Sequence, residues 1–225
     1  MLVASVFLIS TTVPTNASPQ IQASSWALET IRQADDLSLI PHSLHGLDLR
    51  AAITRGEFAA LAVRLFEYLT ECTAVETQDN PFRDTDNAEV RKAYHHNLMV
   101  GTSLTEFSPQ VFLNRETAAS TLANLVRCCC IPDWETGVVY TIEYEMPPLF
   151  IDDESISVWA RESVYLMVSL GIIEGMPGNV FAPRNLTPTQ MQINHAGASR
   201  EQAIVMVLRM AENLKGVTLK ATSSP

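Results

Sequence analysis

At 225 residues with 47% hydrophobic side chains, the chain carries enough apolar surface to bury a core, which excludes a disordered segment. Its 25 acidic against 15 basic residues give a formal charge of -10, which repels polyphosphate and excludes nonspecific nucleic-acid binding. No apolar run approaches the roughly 20 residues that a membrane-spanning helix requires.

The chain opens with an apolar run, Leu2 to Ile9, followed by small and polar residues from Thr11 to Ala17. This reads as a signal peptide over residues 1–23, cleaved after Ala17 or Ala23, and predicts export. No Lys or Arg precedes the run, and a packed N-terminal tail is the alternative reading. No Cys follows it, so no lipid anchor is expected there.

Beyond this point the sequence repeats itself. A first unit, residues 24–71, contains Trp26-Ala27, Ile31, Leu39-Ile40 and then Thr54-Arg55. A second unit, residues 80–130, opens on Phe82-Arg-Asp84 and carries Val90 and Ala93 on a short helical stretch. It continues through Gly101, Phe107-Ser-Pro109 and Asn114-Arg115. The third unit, residues 149–215, opens on Phe150-Ile-Asp152 and carries Trp159-Ala160, Val164, Gly171-Ile-Ile-Glu-Gly175, Phe181-Ala-Pro183 and Ser199-Arg200. The interval from Gly101 to Phe107 equals that from Gly175 to Phe181. About eleven extra residues precede Arg200 and include Met191 to His195, which predicts a loop insertion.

Each unit then enters a second helix. Phe58, Leu61 and Leu65 recur at helical spacing, as do Ala118, Leu122 and Leu125, and again Ala203, Val207 and Met210. The predicted fold class is mainly α: helix, turn, helix, three times over around a shared core. Thr70 to Gln78 and Cys130 to Pro148 are connections, Thr136 to Tyr144 has the composition of a short strand or hairpin, and residues 216–225 are a tail.

The second helices begin Thr54-Arg-Gly-Glu57, Asn114-Arg-Glu-Thr117 and Ser199-Arg-Glu-Gln202. Thr, Asn and Ser are good N-caps, and Glu57 and Gln202 complete capping boxes. The arginines do not fit this account, because a cation at the first helical position opposes the helix dipole by up to about 1 kcal/mol. Two partners would explain Arg55, Arg115 and Arg200: an acid of a neighbouring unit such as Asp84 or Asp152, or an external anion gripped together with the helix N-terminus.

Other residues point to no chemistry of their own. Cys72, Cys128, Cys129 and Cys130 form no CxxC pair and read as small apolar residues, although a disulfide from Cys72 would suit export. His95 and His96 are adjacent on a helix and point about 100° apart, too far to share a metal, and read as solvated. Asp152-Asp153-Glu154 reads as an acidic cap ahead of the Trp159 helix. Trp26 and Trp159 occupy matching places, where a core role explains them and an aromatic face for stacking sugar is the alternative. No carboxylate pair, nucleophile motif, metal motif or phosphate loop singles itself out, so neither catalysis nor a cofactor is expected.

The F-x-D, Trp-Ala, G-I-x-x-G, F-x-P and Ile53-Thr-Arg-Gly-Glu57 elements together resemble three S-layer homology repeats, over roughly Ser25 to Leu214. The resemblance implies a pseudo-threefold bundle with minor β structure, secreted and held at the cell wall or cell surface. It implies non-covalent binding of a secondary cell-wall polysaccharide, pyruvylated sugars included, in grooves between repeats. Arg55, Arg115 and Arg200, with Glu57, Trp26 and Trp159, are the implied polysaccharide-binding residues. The competing function is a protein-interaction or adhesion module that keeps the fold and docks an envelope protein partner. Thr117 departs from the pattern by replacing an acid, and the first unit departs by lacking F-x-D and G-I-x-x-G.

Overall fold

The computed structural model describes residues 21–132, 134 and 138–224; the apolar run Leu2 to Ile9 and the Ala17 position lie outside them. The described residues are mainly helical, with seven α-helices and one two-stranded sheet. In chain order they are α1 (Leu28–Asp36), α2 (Arg55–Thr70), α3 (Ala88–His95), α4 (Arg115–Cys130), β1 (Val139–Ile142), α5 (Val158–Ser169), α6 (Pro188–Ile193), α7 (Arg200–Leu214) and β2 (Ala221–Ser224).

The long helices α2, α4 and α7 start where their caps predict. Thr54, Asn114 and Ser199 each accept from the backbone N–H three residues on, and Glu57 and Gln202 close capping boxes. The short helices α1, α3 and α5 all end in one way. Ser38, Asn97 and Gly171 adopt left-handed φ of 58°, 55° and 68°. The next N–H, of Leu39, Leu98 or Ile172, then donates back to Ala34, Ala93 or Met167. This Schellman closure satisfies orphan carbonyls and turns the chain sharply, driving a buried apolar side chain into the core.

The most extensive helix packing is α4 on α5, α2 on α3 and α1 on α7. Each long helix therefore covers the short helix of the following sequence unit, and α7 returns to the first. The segments leading into α2, α4 and α7 meet in a closed cycle of backbone hydrogen bonds. Ile53 N–H donates to Ala198 O at 3.0 Å, Ala198 N–H to Leu113 O at 3.4 Å, and Leu113 N–H to Ile53 O at 3.0 Å. Phe58, Leu61, Leu122, Leu125, Val207 and Met210 are buried around it in one continuous core.

Three expectations change. The insertion before Arg200 is a capped short helix, α6, because Thr187 and Gln190 form a capping box and Pro188 sits at its start. The tail contributes a strand: β2 pairs antiparallel with β1, the short strand expected of the β-like stretch. His96 is not simply solvated, for its Nε2 accepts from Val75 N–H at 2.9 Å and its ring packs 4.4 Å from Phe66. All four cysteines are unpaired; Cys130 is buried, and burial pushes its thiol up to about 12.

Candidate functional site: two grooves lined by arginine and tryptophan

The F-x-D segments build the loops on which the grooves rest. Asp84 accepts from the N–H groups of Phe107 (3.0 Å) and Ser108 (2.7 Å), and Asp152 accepts from Phe181 and Ala182, both at 2.8 Å. These bonds hold Ser108 and Ala182 at left-handed φ of 59° and 54°, unusual for residues with a Cβ. The two N–H bonds also hold the Asp84 carboxyl below the usual carboxylate range. The phenyl rings of Phe82 and Phe150 press on Gly101 and Gly175, where a Cβ would lie 2.6 and 2.5 Å from ring carbons. Phenylalanine and glycine in these units are thus two halves of one contact.

Arg55 and Arg115 brace the same loops. Arg55 donates from Nε to Phe107 O (3.0 Å) and from Nη2 to Val100 O (2.7 Å), and its guanidinium lies 4.9 Å from the Phe107 ring centre. Arg115 repeats this with Phe181 O (2.7 Å), Glu174 O (2.6 Å) and the Phe181 ring (5.0 Å). Burial pushes both guanidinium groups below their ordinary value, opposed by the nearby charges of Asp84 and Asp152 respectively. Among the described residues neither makes an ion pair, so the expected direct bridge to those acids is absent: the acids grip the loop backbone, and the arginines take its carbonyls. Arg200 differs, pairing bidentately with Glu57 from Nε and Nη2 while Nη1 donates to Asp48 O.

The helix N-termini hold no open anion site. In α2, the N–H groups of Arg55 and Gly56 donate to Val111 O and Pro109 O, that of Glu57 to the Thr54 side chain, and that of Phe58 to Thr54 O. In α4 and α7 the corresponding groups are filled in the same manner. The expectation that helix ends help grip an external anion is thereby corrected: backbone carbonyls and the N-cap side chains occupy every first-turn donor.

Two grooves open beside these braces. One, of about 460 Å³, is lined by Arg55, the Leu98 to Thr102 loop, Thr117, Ser120, Thr121 and Asn124 of α4, and Trp159. The other, of about 280 Å³, is lined by Arg115, the Glu174 to Pro177 loop, Gln202, Val205, Met206 and Arg209 of α7, and Trp26. Helix residues in the two lists stand at the same steps along α4 and α7. Trp26 and Trp159 are 58% and 61% exposed, which corrects the core role; the buried partners in each Trp-Ala pair are Ala27 and Ala160.

The first groove is floored by uncharged hydroxyl and amide groups, and Ser120 Oγ is buried without a hydrogen-bond partner among the described residues. The second holds an Arg209 to Glu174 ion pair at 2.9 Å. Thr121, Asn124 and Arg209 were not singled out by the sequence, although their place on the helix face follows from the Arg115 and Arg200 registers.

Acids next to two of the arginines bind the units together. Glu116 accepts from Ser157 N–H and Oγ (3.0 and 3.1 Å), and Glu201 accepts from Ser24 N–H and Oγ (2.8 and 2.9 Å). Glu116 thereby supplies the polar contact at the start of α5 that Asp152 to Glu154 were expected to give. Asp153 instead pairs with Arg161 at 2.5 Å and accepts from the Tyr165 hydroxyl at 2.8 Å. Among the described residues no group of His, Cys, Asp and Glu is arranged to hold a metal, and no helix is long and apolar enough to cross a membrane.

Residues 150–187 match the family model of the S-layer homology domain. Over 132 residues, 59% of this chain, the sequence is 30% identical to an amylopullulanase of Thermoanaerobacterium thermosulfurigenes. Over 134 residues, 60% of this chain, it is 30% identical to the exoglucanase XynX of Acetivibrio thermocellus. The chain covers 7% and 12% of those two proteins. The stretch from Phe150 through α5 to the N-cap of α6, which builds the loop of the Arg115 groove, is therefore the part of the chain that is similar to an S-layer homology domain.

Proposed function

We propose that the chain is a secreted cell-envelope protein whose three S-layer-homology-like repeats form a pseudo-threefold bundle that binds cell-wall polysaccharide without covalent attachment. The observation that carries this reading is the matched construction of the two grooves, each with a buried arginine, a glycine-bearing loop, a helix face and an exposed tryptophan. An indole offers a flat apolar face to a sugar ring, a guanidinium suits a carboxylate such as a pyruvate ketal, and Thr117, Thr121 and Asn124 suit hydroxyls. We assign the chain no catalytic role. The relatives bear enzyme names, but the match covers small fractions of their lengths, and their activities are not carried over.

Sedimentation with purified cell-wall sacculi tests the reading. Trp159→Ala and Trp26→Ala should each weaken retention roughly two- to twelvefold, as losing an aromatic contact of about 0.5 to 1.5 kcal/mol implies, with unchanged melting because both side chains are exposed. Stripping the wall polymer should release the wild type. A double variant that sediments like wild type would end the groove reading and favour the protein-interaction alternative.

A further inference from the structure

The arginine joints carry different charge, and the difference lies in one position. Arg55 shares its groove with Thr117, and Arg115 shares its groove with Gln202. At the same step of α2 stands Glu57, and it faces Arg200. The Arg55 and Arg115 side chains spend Nε and Nη2 on neutral carbonyls, so each guanidinium keeps its charge and an Nη1 without a partner among the described residues. In Arg200 all three nitrogens are engaged. Its Nε and Nη2 are bound to the Glu57 carboxylate at 2.7 to 3.2 Å, its Nη1 donates to Asp48 O, and both side chains are largely buried.

We infer that Glu57 is an internal counter-ion that closes the Arg200 joint to carboxylate-bearing sugars, leaving the Arg55 and Arg115 grooves to take them. The inference rests on the groove reading above. An incoming carboxylate at Arg200 would have to displace one already held bidentately and also fixed by the Thr54 N–H at 2.9 Å. The displaced Glu57 would then stand beside a second negative charge in a partly buried place, which electrostatics opposes. The protein itself holds the two substitutions that would open the joint: glutamine, as at Gln202, which keeps a capping box, and threonine, as at Thr117, which starts α4 without one.

The test is an NMR titration of the full chain with a methyl hexoside carrying a pyruvate ketal, and with its methyl ester as the uncharged control. It follows the indole N–H signals of Trp26 and Trp159 and the Nε–H of Arg200. In the wild type both indoles should shift saturably with the acid and not with the ester, while Arg200 stays still. In Glu57→Gln the Arg200 signal should join them, with a dissociation constant within tenfold of theirs. Glu57→Thr supplies the same measurement if the glutamine variant is misfolded by circular dichroism. An Arg200 shift in the wild type, or a silent Arg200 in both variants while the indoles respond, overturns the inference and leaves the groove reading standing. Indoles silent in every form overturn both.

Discussion

The arginines at the starts of α2, α4 and α7 illustrate what single residues disclose. Their position against the helix dipole signalled a partner, and a partner exists for each. For Arg200 it is an acid of a neighbouring unit, the class the sequence suggests, but it is Glu57 and not Asp84 or Asp152, whereas the carbonyls of Val100, Phe107, Glu174 and Phe181 have no side-chain signature. The same limit explains the tryptophans. Adjacent helix residues point about 100° apart, so the buried Ala160 turns Trp159 outward, as the buried Ala27 does for Trp26 in the turn before α1, and an apolar Trp-Ala pair does not say which member faces in. The carbonyl partners make Arg55 a structural residue as well as a groove wall. Arg55→Lys should destabilise the fold by about 2 kcal/mol, since one ammonium cannot serve both Phe107 O and Val100 O and stack on the ring, leaving a buried acceptor unpaired. Urea unfolding measures this directly, and a change below about 0.5 kcal/mol would refute the brace.

At the level of elements, the long helices were legible because caps and apolar spacing agree, and the structure starts all three at the expected residues. Helix α6 and the β1–β2 pair were not. The first depends on a capping box read as loop composition, and the second joins strands some eighty residues apart, a distance that no local pattern spans. The repeated closure of α1, α3 and α5 contains a testable blemish. Gly171 and Asn97 suit the left-handed position, but Ser38 occupies it at φ 58° with neither glycine's freedom nor asparagine's tolerance. Ser38→Gly should stabilise the protein by about 0.5 kcal/mol, the relief of left-handed strain less the entropy of an added glycine. Thermal melting of the pair decides it, and the contrasting change Val168→Gly, inside helix α5, should destabilise by about 1 kcal/mol or more.

For the whole molecule, the mainly helical class follows from composition and periodicity, but the arrangement of the helices does not. Sequence places three helix-turn-helix units around a shared core without saying which helices meet, and in the structure α2 covers α3, α4 covers α5 and α7 covers α1. An apolar stripe states that a helix must be covered and is silent about which neighbour covers it. A chain ended before Phe150 would strip α4 of α5 and α1 of α7 together. We expect it to lose its cooperative melt, read by circular dichroism; a truncated chain melting near the full-length temperature would break the shared-core account. Closure also has a meaning in time. The contact between Ser24 and Glu201 spans 177 residues, against 41 for Ser157 and Glu116, so a chain emerging from the ribosome can build its later joints before its first helix finds a partner. Until α7 is made, α1 lacks its most extensive helix contact, and that edge of the nascent protein stays open to other apolar surfaces.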